Sequence, residues 1–134
     1  MWALGSACSP PVGVKPQSIL SGHLDTHDDP QLHVAVAKRG AFVGFDQIRV
    51  GAEREALQIN LMKFIEAGYA NKVLLSTDFS SDAQTKRGGG AGYAVLVTKF
   101  APKLRAAGVD EKTLHGILVD NPRRLLAFVP KNRT

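Results

Sequence analysis

Three short apolar runs recur along the chain, and each leads into a polar side chain. The runs cover about 18–22, 41–45 and 72–77, and the polar residues that follow them are His23, Asp46 and Asp78. The segments between the runs have apolar residues on one helical stripe, for example Leu57, Leu61 and Phe64. Strands that alternate with helices of this length predict right-handed crossovers and a parallel sheet.

The predicted helices have recognisable ends. They cover about 30–39, 53–67, 95–106, 110–119 and 121–128. Asp28 or Asp29 can cap the first helix, and Pro30 suits its first position. Gly40 is a good stop for that helix, and Pro102 predicts that the third helix is kinked or begins late.

The number of strands predicts an incomplete sheet. Three parallel strands need cover on both faces and along both edges, and the chain supplies helices for one face only. We therefore predict an α/β fold, the C-terminal three β/α units of a TIM-type (β/α)8 barrel, incomplete, with closing C-terminal helices. We divide the chain into an irregular segment at 1–17, the partial barrel at 18–128 and a loose basic tail at 129–134.

Composition narrows the class of protein. The chain has 134 residues, a 44% apolar share and a formal net charge of +5, which fits one globular domain or part of one. The basic residues are scattered, so we expect no nucleic-acid partner, and we expect no membrane partner because no apolar run could span a bilayer. The single cysteine, Cys8, excludes a disulfide framework and fits a cytoplasmic protein.

The polar strand ends are the candidates for chemistry. In α/β folds the active site lies beyond the carboxyl ends of parallel strands, so His23, Asp46 and Asp78 would gather at one edge. One imidazole with carboxylates suits zinc, manganese or a similar metal, which lowers the pKa of bound water and polarises an ester oxygen. The alternatives are a turn-capping histidine and ordinary capping aspartates.

Other polar groups have structural interpretations. We interpret His33 as a surface residue, His115 as structural and His27 as a weaker candidate than His23. The acidic residues of the turn after the first strand favour capping over metal ligation; they are Asp25, Asp28 and Asp29. The glycine-rich stretch 88–92 does not match the Walker A pattern, so a flexible lid or plain loop is favoured over a phosphate-binding loop.

Three stretches of the sequence resemble one family. The segments 19–25, 37–46 and 73–78, in this order and spacing, are similar to the C-terminal part of phosphotriesterase-family enzymes of the amidohydrolase superfamily. Pairs in the closing helices also match, and the resemblance covers about 13–128. It implies a (β/α)8 barrel with a binuclear metal centre, commonly zinc.

The resemblance also implies roles for individual residues. His23 matches the metal-binding histidine after the sixth strand. Asp78 matches the aspartate after the eighth strand, which binds metal and handles the proton of the bridging hydroxide. Asp46 matches the aspartate after the seventh strand, on the substrate side, without a ligand role. The implied function is part of a hydrolase that cleaves phosphotriester, lactone or carboxylic ester bonds of a small molecule by metal-activated hydroxide.

The sequence departs from the family pattern in two ways. Gln47 and Thr26 stand where the classical organophosphate hydrolases have a histidine and an aspartate that assist proton removal. The first-strand His-x-His pair, the bridging lysine or glutamate and the fifth-strand histidine have no counterparts here. We therefore expect the chain to be inactive alone, with a complementing N-terminal barrel portion or a second copy as partner. The alternative is a non-catalytic truncated product, or a half-barrel that assembles with another chain.

Overall fold

A three-stranded parallel sheet forms the centre of the fold. The computed structural model describes residues 13–49 and 55–127. The strands are β1 (Leu20–Ser21), β2 (Phe42–Phe45) and β3 (Val73–Leu75). Their order is β1-β2-β3, and both pairings are parallel. The prediction of an α/β fold with a parallel sheet is confirmed.

Helices follow each strand. They are α1 (Pro30–Lys38), α2 (Glu55–Phe64), α3 (Ala101–Ala106), α4 (Glu111–His115) and α5 (Asn121–Leu126). Wider π-helical turns extend three of them; they are Ile65–Tyr69, Leu96–Phe100 and Gly116–Asp120. Pro102 lies in the first turn of α3, directly after the π-helical turn Leu96–Phe100, and it has no backbone N–H to donate. None of the helices in the described ranges is long and apolar enough to cross a membrane.

Aspartates cap the starts of α1 and α4, and the first of them is one of the two capping residues that the sequence predicts. The Asp29 carboxylate accepts hydrogen bonds from the backbone N–H groups of Gln31 (3.0 Å) and Leu32 (3.2 Å), and so caps α1. Asp110 accepts from the N–H of Thr113 at 2.9 Å and caps α4. The predicted tail at 129–134 and most of the irregular segment lie outside the described residues.

The hydrophobic core lies on one face of the sheet. Val43 and Phe45 of β2 and Val73 of β3 have no exposed surface, and the register pairs Val43 with Val73. The largest buried side chains that cover them from the helices are Leu61, Phe64, Leu104 and Ile117. Alternation along the strands places Leu20 and Leu74 on the opposite face. Leu20 is 45% exposed there, at the β1 edge of the sheet.

The prediction that His33 is a surface residue was wrong. His33 has no exposed surface, and its Nε2 atom lies 2.8 Å from the Leu24 carbonyl oxygen. Its ring meets the rings of Phe45 and Phe64 edge-on, at centroid distances of 5.4 and 6.4 Å. The cause is the orientation of α1, which turns His33, Val36 and Ala37 into the core and leaves Leu32 only partly buried.

Candidate metal centre

The three strands deliver their polar residues to one edge of the sheet. Because all strands run parallel, His23, Asp46 and Asp78 follow them at the same carboxyl edge. His23 and Asp78 have left-handed backbones, with φ of 56° and 52°. Such values are uncommon outside glycine and concentrate at functional sites. The predicted gathering of strand-end residues at one edge is therefore consistent with the chain's topology.

His23 and Asp46 form a tight pair. The Nδ1 atom of His23 lies 2.7 Å from Oδ1 of Asp46, and the backbone N–H of His23 donates to Oδ2 at 2.7 Å. The imidazole is 57% exposed and the carboxylate 16%. The hydrogen bond to Asp46, followed by its charge, raises the pKa of His23. Since Nδ1 contacts the carboxylate, Nε2 is the nitrogen that the ring offers to a ligand.

Two glycines make room for the Asp46 carboxylate. A Cβ atom on Gly22 would lie 3.0 Å from Oδ2 of Asp46. A Cβ atom on Gly44 would lie 3.1 Å from the Cα of Gly22 and 3.2 Å from the same Oδ2. These distances are shorter than ordinary van der Waals contact, so larger residues at either position would push the carboxylate away from His23.

Asp25 joins this pair, although we had interpreted it as a capping residue. It is 3% exposed, and its Oδ2 atom accepts hydrogen bonds from the N–H groups of Asp46 (3.0 Å) and Gln47 (2.8 Å). Its Oδ1 atom is buried without a hydrogen-bond partner among the described residues. Burial, the largest cause, raises the pKa of Asp25. The sequence feature that could have identified Asp25 as part of the site is its position two residues after the strand-end histidine His23.

Asp78 stands apart from this arrangement. Potential ligand atoms of His23, Asp25 and Asp46 lie within 4.8 Å of one another, and Asp78 is outside that group. Its carboxylate is 39% exposed and lies 3.6 Å from Nη2 of Arg49. The Asp78 charge also contributes to the raised pKa of His23, so the two residues interact electrostatically.

The donor set at this edge fits a divalent cation. A histidine with carboxylates is a combination that zinc and manganese accept. The buried Oδ1 of Asp25 needs compensation by a proton or a cation, because an unpaired polar atom in the interior is costly. The assignment of His23 and Asp78 as the ligands stays a prediction.

The glycine-rich stretch has a packing explanation. A Cβ on Gly88 would lie 1.9 Å from the carbonyl oxygen of Asp82, and one on Gly90 would lie 2.4 Å from that of Ala83. The stretch therefore folds tightly against the 3-10 turn Asp82–Gln84, which carries its own capping box.

His115 takes no part in the candidate site, and its Nδ1 atom lies 3.3 Å from Oδ2 of Asp120.

Parallel β/α units with a histidine and carboxylates at the carboxyl edge are the arrangement of a (β/α)-barrel enzyme site. The model of the phosphotriesterase family matches residues 12–126. The chain is 30% identical over 114 residues to the phosphotriesterase homology protein of Escherichia coli, covering 82% of this chain and 38% of that protein. This chain therefore belongs to the phosphotriesterase family.

Further relatives extend the comparison. The N-acetyltaurine hydrolase of Dictyostelium discoideum is 25% identical over 124 residues, which cover 83% of this chain and 34% of that protein. The crystal structure of the Escherichia coli protein, complexed with phosphate in its active site, matches with a TM-score of 0.75 and 31% identity over 82% of this chain and 39% of that one. The organophosphorus hydrolase of Deinococcus radiodurans matches with a TM-score of 0.71 and 25% identity, over 84% of this chain and 38% of that one.

The solved structures that the chain matches have a larger architecture. The matched solved structures are phosphotriesterase-like TIM barrels, and a three-stranded parallel sheet with helices is consistent with part of such a barrel. The chain spans less than two fifths of the length of the relatives it matches by sequence.

Proposed function

We propose that this chain carries the C-terminal part of the active site of a metal-dependent hydrolase, with His23 and Asp78 as metal ligands. The observation that carries the proposal is the pairing of His23 with Asp46. Asp46 holds the ring through Nδ1 at 2.7 Å, which leaves Nε2 for a metal, as in the carboxylate–histidine–metal arrangement of many metalloenzymes. Family membership supports the hydrolase class.

The residues of this chain have distinct tasks in the proposal. His23 and Asp78 hold the cation, and Asp78 accepts a proton at its carboxylate. Asp46 orients the imidazole of His23 and stays out of the coordination shell. A divalent metal, for which zinc is our proposal, supplies Lewis-acid activation of water and of the substrate's reacting oxygen when bound. The ion pair between Asp78 and Arg49 is 3.6 Å long and partly exposed. Such pairs are weak, so Asp78 can exchange this partner for a metal ion.

The proposed substrates are small molecules with a phosphotriester, lactone or carboxylic ester bond. The solved structures that the chain matches include an organophosphorus hydrolase. Because an N-acetyltaurine hydrolase is also among the relatives, N-acetyltaurine belongs in the same assay panel. The tasks of His23, Asp46 and Asp78 do not depend on which of these bonds is cleaved.

We also propose that the chain works with a complementing N-terminal barrel portion. Two protein ligands are fewer than the three or four that zinc sites use, so further ligands must come from elsewhere. The β1 edge supports the same proposal, because Leu20 is 45% exposed there and β2 is the neighbour of β1 in the described sheet. A second copy of the chain and a non-catalytic product are the competing outcomes.

The test is a chimeric barrel in which residues 13–127 replace the corresponding part of the Escherichia coli phosphotriesterase homology protein. With zinc, manganese or cobalt, we expect it to hydrolyse at least one panel substrate and the chain alone to show little or no turnover. His23→Ala and Asp78→Asn should each lower kcat by about a hundredfold or more, as loss of a group acting in the transition state does.

Asp82→Asn is the matched control, because Asp82 is an exposed aspartate on the loop after Asp78. It should leave hydrolysis unchanged. A folded chimera that is equally active with Asp78→Asn would contradict the proposed role of Asp78. Robust turnover by the chain alone would overturn the need for a complementing portion, and a size measurement would then show whether two copies supply the site.

A further inference from the structure

We propose that Asp25 is a positioning residue that fixes the tautomer of His23 through Asp46. This inference rests on the proposed function in one respect, that Nε2 of His23 is the atom presented to the metal. All of the contacts that carry the inference lie within this chain. Asp25 is 3% exposed, and one of its carboxylate oxygens lies within 4.8 Å of a potential ligand atom of His23 and of Asp46. The hydrogen bonds of its Oδ2 atom run to the backbone that carries the Asp46 side chain.

The first step runs from Asp25 to the end of β2. Oδ2 of Asp25 accepts the backbone N–H groups of Asp46 (3.0 Å) and Gln47 (2.8 Å), the first two residues beyond the strand. A carboxylate that accepts two N–H groups forms charge-assisted bonds, which are stronger than neutral ones. These bonds determine where the backbone of Asp46 lies, and therefore where its side chain begins.

The second step runs from Asp46 to His23. One carboxylate oxygen accepts the backbone N–H of His23 and the other contacts Nδ1, both at 2.7 Å. A carboxylate only accepts hydrogen bonds, so the neutral ring must carry its proton on Nδ1. Nε2 then has a free lone pair, which is the form that a metal ligand requires.

The third step returns to the turn that contains Asp25. The 3-10 turn Leu24–Thr26 follows His23 directly, and the Thr26 hydroxyl donates to the His23 carbonyl oxygen at 2.6 Å. This bond closes the turn around the left-handed backbone of His23, at φ 56°. The histidine and its buried anchor are thus two residues apart in one short turn, and a displacement of Asp25 would be transmitted to both ends of the His23–Asp46 pair.

The experiment measures the ring nitrogens of His23 by 15N NMR in the metal-free full chain, at alkaline pH where the imidazole is neutral. We expect the wild type to show the Nδ1–H tautomer. Asp25→Ala removes the acceptor and should shift His23 toward the Nε2–H form that free histidine favours. Asp25→Asn should restore the Nδ1–H form, because its amide oxygen can accept the same two N–H groups.

Asp29→Ala is the matched control. It also removes a carboxylate that accepts two backbone N–H groups, those of Gln31 and Leu32, but at the start of α1, away from the pair. It should lower stability and leave the His23 tautomer unchanged. If Asp25→Ala does not fold, Asp25→Ser is the second variant. The serine side chain is too short for its oxygen to accept both N–H groups, so Asp25→Ser should give the same tautomer shift.

Two results would overturn the proposal. One is an unchanged His23 tautomer in the folded Asp25→Ala or Asp25→Ser chain, and the other is an Asp25→Asn chain that behaves like Asp25→Ala. The measurement uses no metal and no substrate. Failure of the chimera to hydrolyse would therefore count against the proposed function alone, and an unchanged tautomer would count against the role of Asp25 alone.

Discussion

The ends of β2 and β3 are each followed by an aspartate, but the surroundings of the two differ. We call the region around Asp46 the β2 corner and the region around Asp78 the β3 corner. Asp46 is 16% exposed and seated over Gly22, with both carboxylate oxygens engaged by His23. Asp78 is 39% exposed, and its ion pair with Arg49 is 3.6 Å long. Exposed ion pairs of that kind contribute little to stability. The β2 corner is thus held together by contacts within the chain, and the β3 corner presents a carboxylate that is free to take another partner.

The difference separates two tasks that look alike in sequence. A group that orients a ligand has its oxygens occupied by protein donors, as Asp46 has. A group that binds a metal must keep an oxygen accessible, as Asp78 does. Substitutions at the β2 corner should therefore lower stability, and those at the β3 corner should alter function with little effect on stability.

The largest effect on stability is expected for Gly44→Val. The added side chain would meet the Gly22 backbone at 3.1 Å and Asp46 Oδ2 at 3.2 Å through its Cβ alone. Overpacking typically lowers the free energy of unfolding by about 1–3 kcal/mol, and we expect the upper end here because one of the atoms that the added Cβ meets belongs to the backbone. Urea denaturation measures it. The control is Gly116→Ala, where nothing lies within 4 Å of the added Cβ. A loss of equal size there would show that the close contacts of Gly44 are not the cause of the loss.

A smaller effect is expected for Asp46→Ala. The substitution leaves the backbone N–H and Nδ1 of His23 without their acceptor. Both hydrogen bonds are exposed, so each is expected to contribute about 0.5–1.5 kcal/mol to stability, measurable by the same denaturation. Asp78→Asn should stay within about 0.5 kcal/mol of the wild type, as surface substitutions do, because asparagine tolerates the left-handed backbone of this position at φ 52°. Equal losses at the two positions would contradict the distinction between the corners.

The smallest expected effect is on the pH dependence of stability, and it concerns a helix cap, Asp110, instead of a strand end. The backbone N–H of Thr113 lowers the pKa of Asp110 below its ordinary value of 3.8. The stability contributed by the Asp110 charge is therefore present above pH 3.8 and is lost as the pH falls through the folded-state value.

Asp110→Asn keeps a capping side chain without a titrating group, so it isolates this contribution. The difference in unfolding free energy between the wild type and Asp110→Asn should change only on the acid side. A difference that stays constant from neutral to acid pH would show that the cap does not depend on the charge.

The sequence predicted the framework well because its signals are local. Asp29 and Pro30 mark the start of α1, Gly40 (φ 97°) lies just beyond its end, and the three apolar runs form parallel strands. The resemblance to the phosphotriesterase family was also confirmed. These features depend on the residues within one element or on the order of several motifs.

The details of the site depended on contacts between elements. The local sequence favours a capping role for Asp25, since its actual partners, the N–H groups of Asp46 and Gln47, lie 21 and 22 positions away in sequence. The burial of His33 could not be predicted because the helical pattern alone does not determine the rotation of α1 against β2. The spacing of residues showed which side chains reach the edge of the sheet, but not which of them hold one another there.

The metal content of the chimeric barrel tests the central claim most directly. Metal bound per barrel would be measured by atomic absorption after equilibrium dialysis against zinc, for the parent chimera and its His23→Ala, Asp78→Asn and Asp46→Asn variants. The account predicts that His23→Ala and Asp78→Asn each lose bound zinc, and that Asp46→Asn binds it more weakly with unchanged stoichiometry at saturation. Full zinc content in both His23→Ala and Asp78→Asn would contradict the account.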